Sequence, residues 1–251
     1  RGLGHGLPSG CPPVRPACRS APNAPNVDSR SGLRTRWISH SNRAPGTEQF
    51  VSRRQPLTMN KPESAPHHVR REDLVDWQTY ADNRDTIRAE VMAIKAPRRI
   101  HLGEHLTFLF ENHDTMRYQV QEIMRAERIV RESSIREELD TYNTMLGGSG
   151  QLGCALLIEI EDEAKRRPLL EAWMGLQECL YAETADGTRV HAKFDPSQVG
   201  LDRLSAVQYL RFSLDTGPVR LGSNFPTLEL TVDLTDDQRN FLAADLAATR
   251  S

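Results

Sequence analysis

The stretch LTFLFENHDTMRYQVQEIMRAERI, residues 106–129, joins a strand pattern to a helix pattern and decides the fold class. Its first five residues are apolar apart from Thr107, which is typical of a largely buried strand. Asn112 or Asp114 can then cap the start of a helix. One face of that helix is apolar, and another is rich in Arg, Gln and Glu. The stretch therefore predicts a strand that leads directly into an amphipathic helix.

Upstream of this stretch, residues 71–99 predict a helix that ends before Pro97. Residues at a period close to 3.6 form a stripe along it that we interpret as its buried face. The stripe includes Tyr80, Arg84 and Val91. Residues 99–112 predict two short strand segments broken at Gly103, and the second segment is the strand of the central stretch.

Downstream, residues 133–148 predict a second helix, for which Ser134 and Glu137 form a capping box. Residues 151–161 are apolar at nearly every position, as expected of a strand covered on both faces. A helix from Asp162, a hairpin turning at Asp186 and Gly187, strands at 206–214 and 227–234, and a helix opened by Thr235 follow. We expect an α+β fold with N-terminal helices, a mixed and mostly antiparallel sheet, and a strand-rich C-terminal half.

The N-terminal part differs in composition. Residues 1–58 contain nine Arg, no Lys, only two acidic residues and eight of the fifteen Pro, without helical or strand periodicity. Such a segment buries too little apolar surface to offset its ordering entropy. It resembles a basic arm, a transit peptide or an upstream extension of the reading frame, and we favour the third because Met59 precedes the ordered pattern. We expect residues 1–64 to be a disordered tail and residues 65–250 to form a single domain.

Charge and composition exclude several classes of function. The chain carries a formal charge of −2, and the basic tail leaves the folded part acidic, which disfavours nucleic-acid binding. No apolar run reaches the roughly 18 residues of a membrane span. Four Cys in 251 residues do not form a disulfide framework, which favours a reducing, cytoplasmic setting.

One candidate site is a metal centre. HLGEH, residues 101–105, matches the H-x-x-E-H pattern of a zinc peptidase class, but it contains Gly103 and leads into a strand, whereas the motif needs a helix. A looser cluster of imidazoles and carboxylates would suit zinc, manganese or iron. Its members are His101, His105, Glu111, His113 and Asp114, and the enzyme hypothesis uses Glu104 together with His101, His105, Glu111 and His113. The alternative function is accordingly a metal-dependent redox enzyme or hydrolase, and the cofactor stays unknown.

The second candidate is the charged face of the central helix. Its members are Arg117, Gln121, Glu122, Arg125 and Arg128. Arginines at helical spacing can fork onto a carboxylate or a phosphate. The alternative is a solvated surface held by its own weak ion pairs. Phosphate-loop, dinucleotide-binding and nucleophile-elbow motifs do not occur in the chain.

The blocks LTFLFENHDTMRYQVQEIMRAERI, IREELDTYN, LLIEIEDEAKRR and SAVQYLRFSL occur in an order and spacing that resemble a bacterial family catalogued as domain of unknown function 3501. The resemblance spans residues 70–246. It implies no established activity. The family block most typical of its members matches at Phe110, Glu111, Gln121, Glu122, Arg125, Glu127 and Arg128, whereas Gln208 stands where other members often have His.

The resemblance also implies a context. Genes of this family often lie beside those of rubrerythrin-like and iron–sulfur proteins, which implies redox metabolism or oxidative stress. We therefore expect a non-enzymatic accessory protein that binds a partner protein or a small anionic ligand through the charged face.

Overall fold

The computed structural model describes residues 65–196 and 199–251, and the predicted tail of residues 1–64 lies outside that part. The helices are α1 Trp77–Lys95, α2 His113–Glu127, α3 Glu132–Asn143, α4 Glu163–Ala172 and α5 Asp236–Ala248. The strands are β1 Arg99–Leu102, β2 Leu106–Phe110, β3 Gln151–Ile158, β4 Leu180–Glu183, β5 Arg189–His191, β6 Lys193–Phe194, β7 Val207–Ser213, β8 Arg220–Phe225 and β9 Leu228–Asp233. Within the described ranges, no helix combines the length and the apolar character that crossing a membrane requires.

The strands form two sheets. One has the order β1-β2-β3-β7-β6 and the other β5-β4-β8-β9. Every pairing between the described strands is antiparallel. The predicted α+β class, with helices early and strands late, is confirmed, although two antiparallel sheets take the place of one mixed sheet.

The main apolar core is shared by the two sheets. Phe108, Leu156 and Phe212 from the five-stranded sheet lie in the same buried cluster as Leu180 and Leu221 from the four-stranded sheet. The sheets therefore pack as a sandwich, as two sheets with one apolar face each are expected to do. β3 is the central strand, and its last seven residues are buried, which confirms the prediction of a strand covered on both faces.

The helix starts follow local capping in one case and tertiary packing in another. Asn112 caps α2 as predicted, since its side chain accepts from the backbone of Thr115. The predicted capping box of Ser134 and Glu137 is wrong, because α3 begins earlier, at Glu132, with no side-chain cap. The apolar contacts of Ile135 in the helical layer offset the missing cap.

The helix predicted over residues 71–99 starts later than expected. Asp76 accepts hydrogen bonds from the backbone of Gln78 and Thr79 and so caps α1, which begins at Trp77. Because an N-cap residue has extended backbone, the helix cannot continue upstream through Asp76. Residues 71–76 instead form one 3-10 turn and an extended segment.

The helical layer lies directly on β3 at Gly153. A β-carbon at this position would stand only 1.8 Å from the carbonyl oxygen of Met145, just after α3. Only glycine permits this approach between strand and chain. The contact fixes the end of α3 against the sheet.

Candidate functional site

Helix α2 is buried on nearly all sides and forms a different seam with each neighbouring helix. Nine of its fifteen residues are buried. Towards α3 it contributes Met116, Val120 and Ile123 to an apolar cluster with Ile135 and Leu139. Towards α1 the contact is largely polar, and we call it the polar seam. Its members are Tyr80, Arg84, Arg88 and Lys95 from α1 and Tyr118, Glu122 and Arg125 from α2.

Glu122 is the centre of the polar seam and is fully buried. Arg84 donates two hydrogen bonds to its carboxylate, from Nε at 2.7 Å and from Nη2 at 2.9 Å. The Tyr80 hydroxyl donates to it at 2.7 Å. Burial alone would raise the pKa of Glu122, but the hydrogen bonds from Arg84 and Tyr80 outweigh it and lower the pKa to about 2. Glu122 is therefore ionised at neutral pH, and its charge is matched by that of Arg84.

The two tyrosines of the seam keep their protons. Burial raises the pKa of Tyr80 and of Tyr118, and the negative charge of Glu122 raises both further. Tyr118 also lies beneath the ammonium of Lys95, whose Nζ is 5.7 Å from the ring centroid. The seam thus contains hydroxyl donors as well as cations.

Arg84 donates hydrogen bonds through its Nε and Nη2 atoms, whereas Arg88 and Arg125 make no hydrogen bond through Nε. The Nε atom of each is buried and has no hydrogen-bond partner. The Nε of Arg125 lies 3.6 Å from Glu122 Oε1, within ion-pair range but beyond a good hydrogen bond. The side chains of Arg84 and Arg125 are 26% and 34% exposed, so solvent reaches this end of the seam. Arg88 Nε and Arg125 Nε therefore keep a hydrogen-bonding capacity that the described residues do not use.

Glu111 lies at the other end of the seam, just after β2. Its side chain is 2% exposed, and Lys95 Nζ stands 3.9 Å from its Oε1. Neither carboxylate oxygen has a hydrogen-bond partner. Burial raises the pKa of Glu111, and the charge of Lys95 opposes that rise.

The structure brings together only part of the predicted charged face. Glu122 and Arg125 belong to the polar seam. Gln121 is buried beside it, where its amide accepts from Val75 N at 2.8 Å and donates to Val75 O at 3.1 Å. Arg117 pairs with a neighbouring carboxylate at the surface, and Arg128 is exposed at the end of α2, in a left-handed conformation with φ 51°.

The predicted metal ligands lie in separate places. On the β1–β2 hairpin, His101 Nδ1 lies 2.9 Å from the Thr107 hydroxyl. His105 Nδ1 lies 3.2 Å from the backbone carbonyl of Glu159, the residue that follows β3. Glu104 is exposed in the hairpin turn. At the far end of β2, His113 pairs with an aspartate at 3.1 Å, and Glu111 faces Lys95. Among residues 65–196 and 199–251, no three His, Cys, Asp or Glu side chains form a group that could hold a metal ion.

Sequence reasoning missed the contribution of α1. Tyr80, Arg84, Arg88 and Lys95 lie at spacings of four, four and seven, which places them on one side of a helix. The stripe through Tyr80 and Arg84 was interpreted as a buried face, which was correct for Tyr80. Arg84 within that stripe, followed by Arg88 four residues later, was the available signal that this side of the helix is polar.

These features define an α+β protein with a β-sandwich core and a charged, partly open seam between two helices. The chain belongs to the family described as "Protein of unknown function (DUF3501)", whose model matches residues 68–246. A crystal structure of a protein of unknown function from Burkholderia pseudomallei K96243 is similar, with 30% sequence identity and a TM-score of 0.66. That similarity covers 71% of this chain and 98% of the other. A search of the curated proteins finds no match.

Proposed function

We propose that this protein binds a small oxyanion, a carboxylate or a tetrahedral phosphate- or sulfate-like group, at the polar seam. The observation that carries the proposal is the pair of buried guanidinium nitrogens, Arg88 Nε and Arg125 Nε, that have no hydrogen-bond partner. Buried donors without partners cost free energy, and a forked guanidinium is suited to planar or tetrahedral oxyanions.

The charge balance of the seam supports the same ligand class. Arg84 and Glu122 neutralise each other through two hydrogen bonds. Arg88 and Arg125 then add positive charge, and Lys95 is shared with Glu111. An incoming anion would supply the charge that the seam lacks.

Stability alone does not explain this arrangement. Replacing a buried ion pair with packed apolar side chains is often neutral or stabilising, because desolvation offsets the Coulomb attraction. Towards α3 the same helix packs through apolar side chains such as Val120 and Ile123. A ligand-binding role accounts for the cations of the polar seam.

Isothermal titration calorimetry of the full chain with sulfate and with malonate tests the proposal. Sulfate represents tetrahedral oxyanions and malonate represents carboxylates, so the stronger binder identifies the class. We expect Arg88→Met and Arg125→Met each to weaken binding about tenfold or more, as loss of a charge-assisted hydrogen bond does.

Arg117→Met is the matched control. Arg117 lies on α2 like Arg125, but its partner is Asp114 at the surface. We expect this variant to bind as the wild type does. Absence of binding by both anions, or equal weakening in all three variants, would contradict the proposal.

The context implied by the family resemblance stays a prediction. A carboxylate of a partner protein, including a rubrerythrin-like or iron–sulfur protein in an oxidative-stress setting, would satisfy the same guanidinium chemistry. The burial of both Nε atoms favours a small ligand over a protein surface. The metal-dependent alternative gains no support from His101, His105 and His113, which do not converge.

A further inference from the structure

Glu111 is a buried carboxylate whose partners are incomplete. It follows β2, and its side chain is almost wholly excluded from solvent. Both of its oxygens lack a hydrogen bond. A buried carboxylate in this condition is stabilised as an anion chiefly by nearby cations, and otherwise takes up a proton.

Each element packed around Glu111 contributes a polar group, but most of these groups are engaged elsewhere. Arg98, just after α1, forms a two-pronged ion pair with Asp245 at 2.6 and 2.8 Å. On α2, Thr115 donates its hydroxyl proton to the carbonyl of Asn112 at 3.0 Å, and its hydroxyl also lowers the pKa of Glu111. On β3, the neighbouring Cys154 is a buried thiol, and burial together with the charge of Glu111 raises its pKa.

Lys95 is therefore the cation that balances Glu111, and it also belongs to the polar seam. Its Nζ is 3.9 Å from Glu111 Oε1 and 5.7 Å from the ring centroid of Tyr118. Tyr118 in turn interacts with Arg88. The long lysine side chain can turn towards a new negative charge beside Tyr118 without movement of the backbone.

We propose that anion binding at the polar seam draws Lys95 away from Glu111 and is accompanied by uptake of one proton at Glu111. This inference rests on the proposed function. The ligand anion takes the place of the carboxylate as the partner of the ammonium, and a solvent proton adds to a carboxylate oxygen of Glu111. The proton added at Glu111 thus offsets one negative charge of the ligand.

The direction of the pH dependence follows from the two states of Glu111. Burial raises its pKa and Lys95 opposes that rise, so withdrawal of Lys95 raises the pKa further. Between the pKa of the free state and that of the bound state, binding takes up a proton. Affinity therefore increases as pH falls through this window, by up to about tenfold per pH unit, and levels off below it.

Calorimetric titration of sulfate into the full chain, in buffers of different ionisation enthalpy, counts the protons. Sulfate keeps its charge from about pH 5.5 to about pH 8, so protons taken up belong to the protein. We expect the wild type to take up as much as one proton within that range. We expect Glu111→Gln to bind sulfate with no proton uptake and with a nearly flat pH profile.

Lys95→Met provides a second test that does not depend on the folding of the glutamine variant. Without the ammonium, the pKa of Glu111 is raised further before sulfate arrives, so this variant should bind more weakly and take up fewer protons than the wild type. Sulfate binding by the wild type without proton uptake, or equal uptake by Glu111→Gln, would overturn the inference and leave the proposed function standing. Absence of any sulfate or malonate binding heat would instead remove both.

Discussion

The two seams of helix α2 show how one helix can serve stability on one side and chemistry on the other. Towards α3, Val120 and Ile123 pack against Ile135 and Leu139 in an apolar cluster. Towards α1, the fully buried Glu122 is surrounded by arginines and tyrosines. Both seams join adjacent helices, yet the contacts of α2 towards α3 in this cluster are apolar, whereas those towards α1 include ionised groups.

The difference shows that burial and apolar character need not go together within one layer. The apolar seam gains free energy from every methylene removed from water. The polar seam must recover the desolvation cost of its charges through hydrogen bonds, and it does so fully for Arg84 but not for Arg88 or Arg125. The two seams should therefore respond in opposite ways to apolar substitution.

The largest expected effect comes from breaking the polar seam at its centre. Glu122→Ala leaves Arg84 without its carboxylate and should lower the free energy of unfolding by about 3–5 kcal/mol. The double variant Glu122→Leu with Arg84→Leu removes both charges and should recover most of that loss. Urea unfolding measures both, and a double variant no more stable than Glu122→Ala would show that the seam cannot pack without charge.

Truncation in the apolar seam should be costly without touching ligand binding. Ile123→Ala creates a cavity beside α3 and should lower the free energy of unfolding by about 2–5 kcal/mol. Sulfate affinity, measured well below the melting temperature, should stay at the wild-type value. A matching loss of affinity would mean that the two seams are coupled through α2.

A smaller loss is expected where α2 holds the segment that precedes α1. Gln121→Ala removes both hydrogen bonds to Val75 and leaves its backbone groups short of partners, at a cost of about 1–3 kcal/mol. Gln121→Glu is the informative companion, because it keeps the acceptor for Val75 N but loses the donor to Val75 O. Thermal melting should place the Glu variant between Gln and Ala, and an unchanged melting temperature in both would contradict the role of the amide.

The smallest effect, and the sharpest contrast, is between the two buried glutamates as pH changes. Glu122, with a lowered pKa, contributes stability that is present above about pH 4.5 and is lost as pH falls towards 2. Glu111, with a raised pKa, destabilises the fold as pH rises above its ordinary value. The stability of Glu111→Gln relative to the wild type should therefore increase from acidic to neutral pH. A constant difference across that range would show that Glu111 ionises normally.

Local patterns were sufficient to predict parts of this fold. The cap at Asn112 and the buried strand β3 depend on residues that are consecutive in the chain, so the sequence was sufficient to predict them. The start of α3 could not be predicted in this way, because its first residue, Glu132, accepts hydrogen bonds from Arg71, which is 61 residues away in the chain.

The polar seam was beyond the reach of such patterns. Arg84 and Glu122 are 38 residues apart, and nothing in either local pattern states that α1 and α2 lie side by side. The predicted charged face contained Glu122 and Arg125 but grouped them with Arg117 and Arg128 of the same helix rather than with residues of α1. The tertiary arrangement decides which face of a helix packs against another helix. In this fold it places Arg84 of α1 beside Glu122 of α2.

The side-chain amide of Gln121 also fixes the position of Val75, two residues before α1, relative to α2. Val75 is thereby held at one position along the axis of α2, and Asp76, the next residue, is the N-cap of α1. Because each residue of a helix turns the chain by about 100°, a single residue inserted in the first turn of α1 would rotate Arg84 and Arg88 away from Glu122.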